Sequence, residues 1–134
     1  MGIERAKSLN RFTERLGHSI KLDVLHEGEL VAIGGLVIGQ VPKQAHKASI
    51  QGVYVRPQLR RRGIARRLLE ALIELARQQG VEILQLAVMA DSAPARRLYA
   101  DLGFVEYGLE KHALKHEERY YHDSLMALDL SVMT

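Results

Sequence analysis

The chain has 134 residues, which leaves room for one domain with one sizeable core. Hydrophobic residues make up 47% and charged residues 26%, an ordinary globular balance, and the formal charge of +3 is only mildly basic. The absence of cysteine excludes disulfides, a cysteine-based metal site and a cysteine nucleophile. No apolar run approaches the ~20 residues of a membrane span, and the N-terminus has no apolar signal region. The expectation is a single cytoplasmic domain over 1–134 with no membrane partner.

Residues 3–16 read as a polar helix, with Ile3, Leu9, Phe12 and Leu16 as a partial apolar stripe and Gly17 as its C-cap. Ile20, Leu22 and Val24 alternate within Ser19 to Leu25, the pattern of a half-buried strand. His26-Glu27-Gly28-Glu29 reads as a hairpin loop. Leu30 to Val41 is nearly all apolar, a strand buried on both faces, in which Gly34-Gly35 marks a bulge or a close backbone approach. Pro42 to Lys47 is a polar basic turn, and Ala48 to Arg56 the next strand. Short connections between successive strands predict an antiparallel meander.

Ile64, Leu68, Leu72, Leu75 and Ala76, flanked by Ala65, Leu69 and Ile73, form a broad helical face that ends at Gln79, with Gly80 as the cap. Val81 to Met89 is a strand apolar on both sides. It follows a crossover helix and should therefore lie parallel to 48–56. Asp91 or Ser92 caps a short helix that tolerates Pro94 in its first turn, places Ala95, Leu98, Tyr99 and Leu102 on one face and ends at Gly103. Phe104 to Gly108 opens another strand, 109–119 is a polar hairpin excursion, and Tyr120 to Leu130 is the last strand. In that last strand Leu125 and Ala127 share one face, and Met126, Leu128 and Leu130 the other.

One stretch carries chemistry. Val53 to Arg56 is a β-branched and aromatic run stopped by Pro57, followed by Arg60, Arg61, Arg62, Gly63, Arg66 and Arg67 where the long helix begins. The first amides of a helix lack intrahelical partners, and the macrodipole is positive there. Gly63 lets a backbone N–H approach a phosphate without a Cβ in the way, and the guanidinium forks suit phosphate oxygens. The stretch reads as a diphosphate cradle. It lacks the lysine and hydroxyl residue of a Walker loop and the three spaced glycines of a dinucleotide fold.

Arg60-x-x-Gly63-x-Ala65 resembles the acetyl-CoA signature of the GNAT (GCN5-related) N-acetyltransferases. The segment Ser92 to Phe104 resembles their second hallmark, with Ala95, Leu98, Tyr99, Gly103 and Phe104 matching and Ser92 in place of an asparagine. The resemblance spans Ile20 to Leu130. It implies an α/β (α+β) fold, a mixed and mostly antiparallel sheet flanked by helices, with an acyl-CoA cleft between two splayed parallel strands. It departs at the front, where the chain reads as beginning at the family's second helix, an apparently shortened N-terminus that leaves a sheet edge open to a partner strand. Family likeness also implies a homodimer.

The same resemblance assigns roles. The backbone of Val53, Tyr54 and Val55 would pair with pantetheine, with a backbone N–H such as that of Val55 on the acetyl carbonyl. Amides and side chains from Arg60, Arg61, Arg62, Gly63, Ile64, Ala65 and Arg66 would hold the phosphates, with Ser92 and Ala95 also against the cofactor. Tyr99 would protonate the departing thiolate. The base is unassigned, because Ser49 and Gln51 stand where the family often has a glutamate; His46 or a water chain are the candidates. With no cysteine, direct transfer in a ternary complex is favoured over an acyl-enzyme.

The partners implied are acetyl-CoA and an amine, either a small metabolite or xenobiotic or a protein N-terminus or lysine. Tyr120, Tyr121 and His122 read equally as acceptor-pocket or packing residues, and Arg96 and Arg97 as a solvated face or a contact to the CoA 3′-phosphate. His112 and His116, four apart in a hairpin, are not read as a metal pair. The alternatives are a catalytically silent acyl-CoA-binding module and a nucleic-acid binder using Arg60 to Arg67. The latter is disfavoured because only Tyr54 supplies a nearby aromatic.

Overall fold

A computed structural model of the protein describes residues 9–59 and 63–132. Its first element is β1 (Leu9–Leu16), a strand and not the predicted helix. The Gly17-His18 turn folds it back on β2 (Ser19–His26) in eight antiparallel pairs, from Leu9↔His26 to Leu16↔Ser19. Gly17 sits at φ +60°, so it shapes a hairpin turn where a helix C-cap was expected. The physical reason is that a thin apolar stripe makes only a weak helix, and an eight-pair ladder outweighs it. The first described element is thus a sheet-edge strand, which also replaces the expectation that the fold starts at a second helix. The part of that prediction falling on residues 1–8 lies outside the described residues.

Glu27 (φ +52°) and Gly28 (φ +83°) form the two-residue turn into β3 (Glu29–Ile38), which pairs with β4 (Lys47–Val55). α1 (Ile64–Gln78) crosses over to β5 (Ile83–Met89), and α2 (Ala93–Asp101) leads to the hairpin of β6 (Val105–His116) and β7 (Arg119–Asp129). The sheet has seven strands in the order β1-β2-β3-β4-β5-β7-β6. Every neighbouring pair is antiparallel except β4 and β5, which are parallel as the crossover helix requires.

The core forms where α1 lies on one face of this sheet. Ile64, Leu68, Leu69, Leu72 and Ala76 of the helix are buried with Ile20 and Leu22 of β2, Leu36 of β3, Leu84 of β5 and Met126 and Leu128 of β7. β3 was expected to be buried on both faces. Instead Ala32, Leu36 and Ile38 are buried, while Ile33, Gly35 and Val37 on the other face are half-buried. Gly34 explains the closeness of the helix, since a Cβ there would stand 2.8 Å from Leu72 Cδ1 and 3.5 Å from Leu68 Cδ2. The close approach read from Gly34-Gly35 is therefore made at Gly34. The bulge lies on the partner strand, where Gly52 and Val53 together face Gly34 between the pairs Gly35↔Gln51 and Ile33↔Tyr54.

The predicted polar excursion over 109–119 is mostly strand. β6 continues to His116, and only Glu117 and Glu118, both at positive φ, make the turn. The polarity misled because both faces of β6 are largely exposed, so apolar alternation is missing there. Within it, three residues from Lys111 to Ala113 oppose the single His122, with His112 at φ +55°. The His112 N–H donates to His122 Nδ1 at 2.9 Å, and the His112 ring stacks on Tyr120 at 4.2 Å.

Because the atoms nearest an added Cβ are the flexible tips of Leu72 and Leu68, Gly34→Ala should be tolerated by a small shift of Leu72, whereas Gly34→Val should destabilise the fold by about 1–3 kcal/mol. Urea unfolding of both variants measures this; equal midpoints for the wild type and Gly34→Val would remove the α1–β3 contact as the constraint.

Candidate active site

The parallel ladder between β4 and β5 is short. Lys47↔Ile83, Ala48↔Leu84 and Ser49↔Gln85 pair, and beyond them the two strands part. β4 stays attached to β3 up to Val55, and β5 to β7 up to Met89, so each strand follows its outer neighbour and a wedge opens between them. The opening is a cleft of about 550 Å³. Ser49, Gln51, Gly52 and Val53 form one wall, Gln85, Leu86 and Ala87 the other, and Tyr99, Tyr107 and Leu125 complete the lining.

The bulge sits on the β4 wall. With Gly52 and Val53 both opposite Gly34, one backbone unit there has no ladder partner in β3. Gly52 has φ +65°, a conformation that favours glycine at this bend. Val53 is half-buried, Tyr54 exposed and Val55 buried, with Val55 back in register opposite Ala32. Arg56 then locks the strand end. Its backbone N–H donates to Val31 O at 2.9 Å, and its guanidinium reaches Leu30 O at 2.6 Å and Glu29 at 3.3 Å.

A 3-10 turn over Pro57–Leu59 carries the chain toward α1. Arg60, Arg61 and Arg62 lie outside the described residues. Gly63 occupies the N-cap of α1 at φ +77°, and among the described residues nothing lies within 4 Å of an added Cβ there and no side chain caps the helix. The first turn holds Arg66 and Arg67 and no acidic residue, cationic charge at the positive end of the dipole. Arg66 is exposed and pairs with Glu70 at 3.3 Å. The Ile64 side chain is buried and Ala65 packs against the core, so only their backbones can meet a ligand.

α2 brings Tyr99 to the cleft. The ring is half-buried and meets Phe104 edge-on, with centroids 5.9 Å apart at 68°. Burial pushes its phenol above the usual value of 10.0, so the hydroxyl keeps its proton at neutral pH. Ser92 is the N-cap residue of α2, but its hydroxyl makes no capping bond; its carbonyl accepts from Arg96 N at 3.0 Å. The expected side-chain cap is thus absent, because ψ of 81° turns Ser92 away from the usual cap geometry. Ala95 is half-buried on the helix face that carries Leu98 and Tyr99. Arg96 is more than a solvated residue, since its guanidinium donates to Ala90 O at 3.0 Å.

His46 is not among the residues lining the cleft: it precedes the closed end of the wedge, where its carbonyl accepts from Glu82 and Ile83. Two polar lining residues were missed, Gln85 and Tyr107, whose side chains meet at 3.4 Å. The period-two alternation of β5 marks Gln85 and Ala87 as one face, whereas the placing of Tyr107 depends on a register shift between Glu106 and Gly108 that no local pattern announces.

The profile of the acetyltransferase (GNAT) family matches residues 4–104. The chain belongs to this family. Its curated relatives include the ribosomal protein bS18-alanine N-acetyltransferase of Salmonella typhimurium, 35% identical over 86 residues, which are 64% of this chain and 58% of that protein. Another is the L-amino acid N-acetyltransferase AaaT of Escherichia coli, 31% identical over 94 residues, 69% of this chain and 57% of that protein. The matches therefore span under two thirds of either relative's length. Among solved structures, the S18-alanine N-acetyltransferase of Escherichia coli superposes with a TM-score of 0.75 at 27% identity over 86% of this chain and 71% of that one. The fold is also that of Salmonella typhimurium YncA with its cofactor acetyl-CoA, TM-score 0.76 at 22% identity over 84% and 65% of the two chains. Acetyl-CoA is the acyl donor of the GNAT family, and the parted β4–β5 pair is this GNAT chain's version of the expected splayed strands.

The raised phenol of Tyr99 has a stability consequence. Its neutral form stabilises the fold fully below about pH 10, and this contribution is lost as pH rises through the higher folded-state value. Tyr99→Phe keeps the ring contact with Phe104 and removes the ionisation, so its stability should match wild type at pH 7 and fall less between pH 10 and 11.5. Thermal melts across that range decide; parallel alkaline losses would show that Tyr99 is not shielded from solvent.

Proposed function

We propose that this protein is an acyl-CoA-dependent N-acetyltransferase that acetylates a primary amine directly in a ternary complex. The observation that carries the reading is the wedge between β4 and β5, whose β4 side leads through the Pro57–Leu59 turn into a helix start with Gly63 as N-cap and Arg66 and Arg67 in its first turn. Where two strands part, an extended arm bearing amides can add along their inner edges as a further strand would. The bulge at Gly52-Val53 and the open space at Gly63 both suit close approach of such an arm and its phosphates.

In this reading the backbone of Val53, Tyr54 and Val55 binds the pantetheine arm. The α1 amides from Gly63 to Arg66, with Arg60, Arg61 and Arg62 before them, hold the diphosphate, and Ser92 and Ala95 border the arm from α2. Bound acetyl-CoA supplies an activated acetyl thioester. Tyr99 holds a proton at its hydroxyl beside the cleft, where a leaving sulfur can receive it. Leu86, Leu125 and Val53 exclude water around that point. The relatives' names support an amine acceptor.

The domain is taken to act in the cytoplasm as a homodimer, without a nucleic-acid or membrane partner. Exposed Val105, Tyr107 and Leu109 on the edge strand β6 offer a self-association surface, and no helix among the described residues is long and apolar enough to cross a membrane.

Calorimetric titration with acetyl-CoA, CoA and ATP tests the binding half of the proposal. The CoA species should bind selectively, and Gly63→Val should lose at least about tenfold in affinity because a β-branched side chain at φ +77° displaces the loop and costs about 1–3 kcal/mol locally. Normal affinity in that variant, or equal binding of ATP, would sink the cradle. Thiol release with an amine panel tests turnover, and binding without turnover on any amine would make the protein a silent binder.

A further inference from the structure

The polar side chains that line the cleft among the described residues are Ser49, Gln51, Gln85, Tyr99 and Tyr107. None of them is a base at neutral pH, yet an ammonium must lose a proton before its nitrogen can attack. We infer that Asp123, on the wall that β7 gives to the cleft, receives that proton through a water molecule. The inference rests on the acetyltransferase reading above.

The register carries it. β7 pairs Leu125 with Ala87, both in the lining, and Asp123 with Met89, one pleat further out. Residues two apart on a strand share a face and stand about 7 Å apart, so Asp123 borders the cleft within reach of one bridging water. It is half-buried. Directly across from it on β6 lies Glu110. Like charges facing each other across a strand pair repel, and among the described residues neither is in an ion pair. An ammonium arriving beside them relieves that repulsion, so the same pair that takes the proton also draws the cationic amine.

The other candidates are engaged or misplaced. Glu106 accepts from the buried Ser124 hydroxyl at 2.6 Å and lies 3.9 Å from Arg96. His122 alternates to the opposite face from Asp123, and its Nδ1 accepts the His112 amide, which leaves the proton on Nε2. Asp91, in the turn after β5, is exposed and lies beyond the last β5–β7 pair, Met89↔Asp123. Across from Asp123 stand Glu110 of β6 and the apolar Met89 of β5, and the titratable groups of the cleft that Leu125 lines are Tyr99 and Tyr107. The ammonium gives one proton through water to the carboxylate and keeps the electron pair that forms the new C–N bond as the thioester C–S bond breaks; the second proton lost by the nitrogen balances the one that Tyr99 gives the leaving sulfur. The carboxylic acid then returns the proton to solvent.

The test uses the full chain with acetyl-CoA and three probe amines, an alanine-initiated peptide, spermidine and L-lysine, over pH 6.5 to 10. With the probe turned over best, Asp123→Asn should lower kcat/KM about 100-fold near neutral pH, and the deficit should shrink to under about tenfold at high pH, where the amine is already free base. Asp123→Glu should recover most of the rate, and Glu110→Gln should raise KM more than it lowers kcat. Independently of turnover, adding the amine to the CoA-bound protein should move the Asp123 carboxyl 13C resonance. A wild-type rate in Asp123→Asn, a deficit constant with pH, or a resonance that stays put would each overturn the assignment while leaving the acetyltransferase reading intact. No turnover by the wild type on any probe would remove both.

Discussion

Three parallel pairs, Lys47 to Ser49 against Ile83 to Gln85, are all that join β4 to β5, and the site exists because the ladder stops there. Parting two strands normally leaves rows of backbone donors and acceptors without partners. Here the cost is halved, since β3 holds the outer edge of β4 and β7 the outer edge of β5. Only the inward-facing edges are left for water or ligand. The bulge at Gly52-Val53 sharpens the local twist, and α1, seated on Gly34, fixes where the chain re-enters the sheet. The wedge is thus a consequence of how the neighbours are tied.

That geometry separates the chemistry into zones. Beyond β4 in the chain, the α1 N-terminus brings Arg66 and Arg67 together with the positive end of the helix dipole, a combination suited to anions. The middle is lined by neutral hydrogen-bonding groups, the Gln85–Tyr107 and Gln51–Ser49 contacts, beside a phenol that burial keeps protonated. The rim on β7 and β6 carries Asp123 and Glu110, opposite in sign to the cradle. A donor with a phosphate tail and an acceptor that arrives as a cation would be drawn to different parts of the same opening. The separation follows from sheet order: the strand leading to the cradle and the strands bearing the carboxylates lie on opposite sides of β5.

The edges of the sheet tell a different story. β1 and β6 both end the ladder, and β6 exposes apolar side chains along its length. An edge of that kind either invites pairing or must be guarded against it. The wide bulge at Lys111–Ala113, with His112 stacked between Tyr120 and His122, interrupts the strand near its end and limits how far another strand can add to it.

Much of this was legible in the sequence. The amphipathic helix from Ile64, its glycine start and the parallel placing of β5 follow from local patterns, because each depends on residues within one or two turns of one another or on a crossover that chirality and length constrain, whereas Tyr99 beside the cleft was implied by the family resemblance. The strand over Leu9–Leu16 was not legible: its conformation is imposed by a ladder to β2, and its own residues make a weak case for any element. Nor was the length of β6, whose exposed faces lack apolar alternation. By itself the sequence determined the helices α1 and α2, the core strands and the two family signatures. Only the tertiary structure decided that Gln85 and Tyr107 share one opening with Tyr99 and that Asp123 follows Leu125 one pleat beyond it, because that depends on where a parallel ladder ends and on register shifts between strands far apart in the chain.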